Sequence, residues 1–287
     1  VINIFQRGAA SMKRILEIME APPEIHDEPD AAIPQSTGGA LEFRGLTFQY
    51  PSGSIPVLRN ISLKVPAGTT LAIVGHTGSG KSTLVNLVSR LFDPPPGTVF
   101  VDGKDVHQWP LLDLRNSIGY VPQETFLFSD TIRENIVFGR EPGIADGEVD
   151  WATHVSQIAD DIDTFSNRMD TYVGERGITL SGGQKQRVAI SRAVLMLPRI
   201  LIFDDSLSNV DTYTEERILG ELTKIMSNRT TILVSHRIST VKSAHQIVVL
   251  KEGMIVEQGT HERLMEINGA YADLYRKQLL EEELAVT

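Results

Sequence analysis

The residues best suited to chemistry lie in one short run, Gly75-His76-Thr77-Gly78-Ser79-Gly80-Lys81-Ser82. The spacing fits G-x-x-x-x-G-K-[ST]. In that pattern successive backbone N–H groups cradle phosphates, the lysine reaches the outer ones and the hydroxyl meets magnesium. Leu71-Ala72-Ile73-Val74 leads in as a buried strand, and Thr83-Leu84-Val85-Asn86-Leu87-Val88 leads out with helical character. The order matters because a helix N-terminus directs the positive end of its dipole at an anion. A solvated lysine in a glycine-rich turn is the plainer reading, but it requires neither the strand nor the helix. The expectation is a nucleoside triphosphate bound by Gly75, Thr77, Gly78, Ser79, Gly80, Lys81, Ser82 and Thr83.

Two further runs carry chemistry. Ile200-Leu201-Ile202-Phe203-Asp204 is an apolar strand ending in an acid. A phosphate-loop enzyme holds magnesium through water at such a place, so Asp204 is expected to share a metal with Ser82. Taken alone, the acid could equally be a turn or N-cap residue. Leu180-Ser181-Gly182-Gly183-Gln184 opens a helical run that continues through Val194. Ser181 and Gln184 fit a capping box. The glycine pair exceeds what a cap needs and leaves bare N–H groups open to close approach.

These residues need a frame to hold them. At 287 residues and 41% hydrophobic, the chain can form one large domain with a subdomain and a sizeable core. Its 27 basic and 37 acidic side chains leave a net charge of −10, so no nucleic-acid partner is expected. The absence of cysteine excludes disulfides, cysteine metal sites and thiol catalysis. No apolar run approaches the roughly 18 to 20 residues that span a bilayer. Phe5, Ala9, Met12, Leu16 and Met19 recur at helical spacing from the first residues onward, so residues 1–20 read as the tail of a helix with further chain upstream. Residues 21–40, rich in proline and acids, read as a linker.

Leu41 to Tyr50 and Val57 to Val65 alternate as antiparallel strands beside the phosphate-loop sheet. From about Glu124 to Gly177 the texture turns helical, with helices expected over Thr131 to Val137 and Val149 to Phe165, and the helical subdomain is taken as about 124–185. Short buried strands follow at Ile200 to Phe203, Thr231 to Val234 and Ile247 to Leu250. The sum is a layered α/β domain carrying a helical subdomain.

Gly75 to Ser82, Leu180 to Gln184 and Ile200 to Asp204, in this order and spacing, resemble the nucleotide-binding domain of ABC transporters. The resemblance covers about residues 41–279, leaving 280–287 as a tail, and Val1 to Glu20 resembles the cytoplasmic end of the last transmembrane helix of an ABC exporter. It implies a RecA-like phosphate-loop NTPase core with an antiparallel β subdomain and an inserted α-helical subdomain, using ATP and Mg2+. The implied partners are a transmembrane domain of the same polypeptide and a second ABC subunit, docked head to tail at the cytoplasmic face of the inner membrane. Ser181, Gly182, Gly183 and Gln184 would then close on a nucleotide held by that partner.

Other residues take roles from the same resemblance. Tyr50 matches the aromatic that stacks on adenine. Gln123 matches the glutamine that meets magnesium and the attacking water at the hinge to the helical subdomain. His236, in Ser235-His236-Arg237, matches the histidine on the γ-phosphate, and Asp211 the aspartate of the loop that crosses to the opposing subunit. Glu175-Arg176-Gly177 resembles the exporter segment that touches the membrane domain.

One position departs from the family. The residue after the magnesium aspartate is normally glutamate, which polarises the attacking water, and here it is Asp205. The carboxylate is kept but withdrawn by about a bond length, and misplacement on that scale forfeits much of the roughly 10²- to 10⁴-fold that a positioned base contributes. A slow site on this chain, paired with a competent one on a different subunit, is the resulting expectation. Two other readings stay open. A soluble ABC ATPase of DNA repair or chromosome organisation would split loop and signature with a long coiled coil, yet only about a hundred residues separate Ser82 from Ser181 and they hold no heptad array. A non-catalytic ATP-binding regulatory module draws support from Asp205.

Overall fold

The computed structural model describes residues 2–34, 37–140, 143–177, 179–235 and 241–285. Helix α1 (Ile2–Met19) leads into an extended segment and then strands β1 (Leu41–Phe48), β2 (Leu58–Val65) and β3 (Thr70–Val74). Helix α2 (Lys81–Val88) follows, then β4 (Val99–Val101), β5 (Lys104–Asp105), α3 (Leu111–Asn116) and β6 (Ile118–Val121). The middle of the chain holds β7 (Asp130–Thr131), α4 (Ile132–Val137), α5 (Asp146–Val155), α6 (Ala159–Thr164) and β8 (Tyr172–Val173). Then come α7 (Gly182–Leu195), β9 (Ile200–Asp204), α8 (Thr212–Met226) and β10 (Thr230–Val234). The chain closes with β11 (Gln246–Lys251), β12 (Met254–Gly259), α9 (His261–Ile267) and α10 (Ala270–Ala285).

The strands sort by sequence pattern. β3, β9 and β10 are buried at every position, as strands covered by helices on both faces must be. They sit inside a six-stranded sheet of order β12-β11-β3-β10-β9-β6, parallel except for the edge strand β12. β1 and β2 bury one face only and belong to an antiparallel sheet of order β2-β1-β4-β5. The first core lies between the two sheets, where Phe43, Leu63, Trp109 and Ile73 meet Leu84 and Leu87 of α2. A second core joins the other face of the large sheet to α7, α8 and the middle helices. A third packs β11 against α9 and α10.

One detail differs from the pattern read in the sequence. The helix expected over Val149 to Phe165 is broken into α5 and α6, because Ser156 turns its hydroxyl inward onto Ser191 Oγ at 2.7 Å and Gln157 takes a left-handed φ of 56°. The proline-rich segment before β1 is fastened at several points along its length. Arg90 and Lys104 donate to the carbonyls of His26 and Ala32, Arg199 to that of Thr37, and Asp102 accepts from the N–H groups of Gly39 and Ala40. Among the described residues no helix is long and apolar enough to cross a membrane.

Candidate functional site

The loop from Gly75 to Gly80 joins β3 to α2, and its glycines are required for different reasons. All three have positive φ: 149° at Gly75, 79° at Gly78 and 102° at Gly80. A Cβ on Gly75 would lie 2.2 Å from the Leu250 carbonyl oxygen, and one on Gly80 would lie 2.8 Å from Leu58 Cδ2. Those two let the loop lie flat on the strands beneath it. At Gly78 a Cβ would meet nothing within 4 Å, so that peptide borders open space and its glycine answers to φ alone.

Lys81 is buried, and its ammonium donates to the carbonyls of Gly75 at 2.9 Å and His76 at 3.0 Å. Burial pulls its pKa down, against the opposing pull of the Asp205 and Asp204 carboxylates. Ser82, one residue on, donates its hydroxyl to Asp204 Oδ1 at 3.1 Å. Asp204 ends β9, two strands from β3, with β10 between them. Burial raises its pKa, and the hydrogen bonds from Ser82 and Tyr120 oppose that. A buried carboxylate with a hydroxyl beside it forms a donor set suited to a hard cation.

Gly78, Lys81, Ser82, Gln123, Asp204 and Asp205 share the walls of a cavity of about 190 Å³. Gln123 Nε2 lies 3.5 Å from Asp205 Oδ2, at the outer limit of a hydrogen bond. Asp205 itself has a left-handed φ of 47°, and its N–H donates to the Val234 carbonyl at 2.8 Å. Tyr50 reaches the loop through Thr83, hydroxyl to hydroxyl at 2.9 Å, and its ring is held edge-on by Phe48 and Phe92. His236 lies outside the described residues. A larger cavity, about 760 Å³, opens elsewhere, between Phe128, Arg133 and Phe138 of the middle helices.

Ser181 and its neighbours occupy a different place. The capping box is present: Ser181 Oγ accepts from the Gln184 N–H, and Gln184 Oε1 accepts from the Ser181 N–H at 2.9 Å. Gly183 has a further, intrachain reason to be glycine, because a Cβ there would sit 2.8 Å from the Asn209 carbonyl oxygen. Gln186, buried one helical turn on, accepts from the Asn209 N–H at 3.1 Å and donates to Ser208 Oγ. Asp211 caps α8 by accepting from the Thr214 N–H, the main reason its pKa is lowered. The structure therefore groups the signature residues with the loop before α8. None of Ser181–Gln184, nor Asp211, lines the phosphate-loop cavity.

Sequence reasoning passed over Tyr120, Asn86, Gln186 and Asp161. The Tyr120 hydroxyl donates to Asn86 Oδ1 at 2.7 Å and lies 3.4 Å from Asp204 Oδ2. Asp161 accepts from both Gln184 and Arg187, tying α6 to α7. Only Asn86 carried a signal, standing four residues after Ser82 and so on the same helical face.

A glycine loop between strand and helix, a lysine and hydroxyl at the helix start, and a buried aspartate ending a nearby parallel strand together define a phosphate-loop NTPase. The sequence pattern of the ABC transporter family matches residues 58–208, over half of the chain, and the chain belongs to that family as an ABC-type ATPase domain. It is 42% identical over 274 residues to the ATP-dependent lipid A-core flippases of Escherichia coli (strain K12) and Salmonella paratyphi A, covering 96% of this chain and 47% of each relative. It also superposes on the structure of a bacterial Atm1-family ABC exporter with ATP bound, with a TM-score of 0.91 at 39% identity over 96% of this chain and 48% of that one. The chain thus spans about half the length of these relatives.

Proposed function

We propose that this chain is the ATP-driven half of an exporter. It binds ATP on the Gly75–Ser82 loop, closes head to tail on a second ABC subunit and passes that motion to a membrane-spanning domain of its own polypeptide, at the cytoplasmic face of the inner membrane. One observation carries the head-to-tail part: the phosphate-loop cavity has no wall from Ser181–Gln184, while that segment presents a capped helix start next to the loop ending at Asp211. A helix N-terminus with two bare glycines is an anion site. In the proposed arrangement the triphosphate that fills it would sit on another chain.

The residues present fit magnesium. Among the described residues no cluster of three or more histidine or acidic side chains forms a metal site. Among the described residues the cavity offers Ser82 Oγ and Asp204, with Gln123 and Asp205 nearby, which suits an ion that keeps several waters and takes phosphate oxygens. When bound, magnesium would neutralise charge on the outer phosphates. Lys81 would leave the carbonyls of Gly75 and His76 for those phosphates, Tyr50 would stack on the base, and His236 would contact the γ-phosphate. Asp205, supported by Gln123, would orient the attacking water from too far back, so this site binds ATP firmly and turns it over slowly.

The membrane-spanning domain is supported by length and surface. The relatives are about twice as long as this chain, and exposed Phe128 and Phe138 line the 760 Å³ cavity with exposed Phe126 edge-on against Phe128, a patch of the kind that marks an interaction face. The division into residues 1–20, 21–40, 41–279 and 280–287 belongs to this proposal, with about 124–185 as the helical subdomain. Fluorescent-nucleotide titration of the chain tests its base. Lys81→Ala is expected to weaken ATP binding at least about tenfold, as loss of a charge-assisted contact does. Equal affinity in variant and wild type would overturn the assignment.

A further inference from the structure

We propose that Tyr120 is a positioning residue for the magnesium carboxylate: its phenol O–H, shared between Asp204 Oδ2 and Asn86 Oδ1, fixes the rotation of the Asp204 side chain and leaves Oδ1 to Ser82. This rests on the nucleotide-binding reading above and extends it to a residue that no part of that reading uses.

The placement follows from three elements meeting. β6 runs parallel to β9 with Tyr120 opposite Ile202, two residues short of Asp204. α2 carries Ser82 and, one turn later, Asn86 on the same face. Ser82 Oγ donates to Asp204 Oδ1 at 3.1 Å, Tyr120 Oη lies 3.4 Å from Asp204 Oδ2, and Tyr120 Oη donates to Asn86 Oδ1 at 2.7 Å. The four side chains close a ring linking α2, β9 and β6. Asp204 is 3% exposed, so the direction of each oxygen is set by protein groups.

A buried carboxylate oxygen without a donor carries a desolvation penalty. Ser82 supplies the donor to Oδ1 of Asp204, and the Tyr120 hydroxyl is the donor within reach of Oδ2. A group that orients a metal ligand from behind typically changes metal affinity about 10- to 100-fold when removed. A phenol has a single proton to give, however, and Asn86 is the nearer acceptor. Asn86 therefore competes with Asp204 for it, and removing Asn86 should act opposite to removing the phenol.

Manganese binding, followed by electron paramagnetic resonance with a non-hydrolysable ATP analogue present, separates the possibilities. Tyr120→Phe is expected to weaken manganese affinity about tenfold, leaving the metal-free affinity for the analogue unchanged. Asn86→Ala, which frees the phenol proton for Asp204, is expected to hold or tighten manganese affinity. Wild-type manganese affinity in Tyr120→Phe would overturn the inference. So would a tenfold loss in Asn86→Ala, even where the phenylalanine variant does not fold. A wild-type chain that does not bind the analogue removes the nucleotide-binding reading itself, and this inference with it.

Discussion

Asp205 shows how backbone and side chain can impose different demands on one residue. Its φ of 47° lies in the left-handed region, which aspartate enters more readily than most residues because its short polar side chain bonds locally. In the proposed reading the same shortness sets the carboxylate about a bond length further from the water it would turn than a glutamate would be. Asp205→Glu is therefore expected to raise steady-state ATP turnover by about 10- to 100-fold, while lowering the thermal midpoint slightly because glutamate suits the left-handed region less well. Equal turnover in the two forms would remove the idea that reach limits the site. Much of this site is legible at the residue scale, since the glycine-lysine-serine spacing is a local pattern and the acid ending an apolar strand gains its meaning beside it. Tyr120 is not, because a tyrosine in a short strand looks the same whether it faces solvent or a carboxylate. Only the pairing of β6 with β9 reveals which.

The sequence of helix α7 shows a capped start with a glycine pair open to a ligand, and the structure adds a constraint from within the chain. Gly182 and Gly183 look equivalent in sequence, but a Cβ on Gly182 would meet only Asn209 side-chain atoms from 3.5 Å outward, whereas one on Gly183 would strike the Asn209 carbonyl oxygen at 2.8 Å. Gln186 fastens the same loop from the next turn of the helix. Gly183→Ala is thus expected to destabilise the isolated chain by about 1–3 kcal/mol, the usual range for overpacking, with Gly182→Ala close to neutral. Thermal unfolding without nucleotide checks this, and equal midpoints for the two variants would mean that the loop yields freely. The helix's existence and cap could be read from Ser181 and Gln184. Its contact with Asn209 could not, since more than twenty residues separate them. The break between α5 and α6 was hidden for the same reason, because it depends on a hydroxyl pair between Ser156 and Ser191.

At the scale of the whole molecule, the segment before β1 resembled a linker because it lacks periodicity and is rich in proline. What holds it are partners distant in sequence, such as Arg90 on His26 and Lys104 on Ala32. Arg90 is fully buried just beyond the end of α2, the helix that begins with Lys81. The path from α1 into the domain therefore runs past the far end of the phosphate-loop helix. The other large-scale feature is the division of labour between the two ends of a composite site. Under the proposed head-to-tail arrangement this chain would give its loop, with Asp205, to one nucleotide and Ser181–Gln184 to the other, so its two sets of residues should matter unequally. In the intact transporter copurified with its second ABC subunit, Ser181→Arg puts a large cation at the capped helix start and is expected to abolish most ATP turnover. Asp205→Ala, acting only on the slow site, is expected to spare most of it. The reverse ranking, with Asp205→Ala silencing turnover and Ser181→Arg leaving it, would place the working site on this chain's own loop and end the case for an unequal pair.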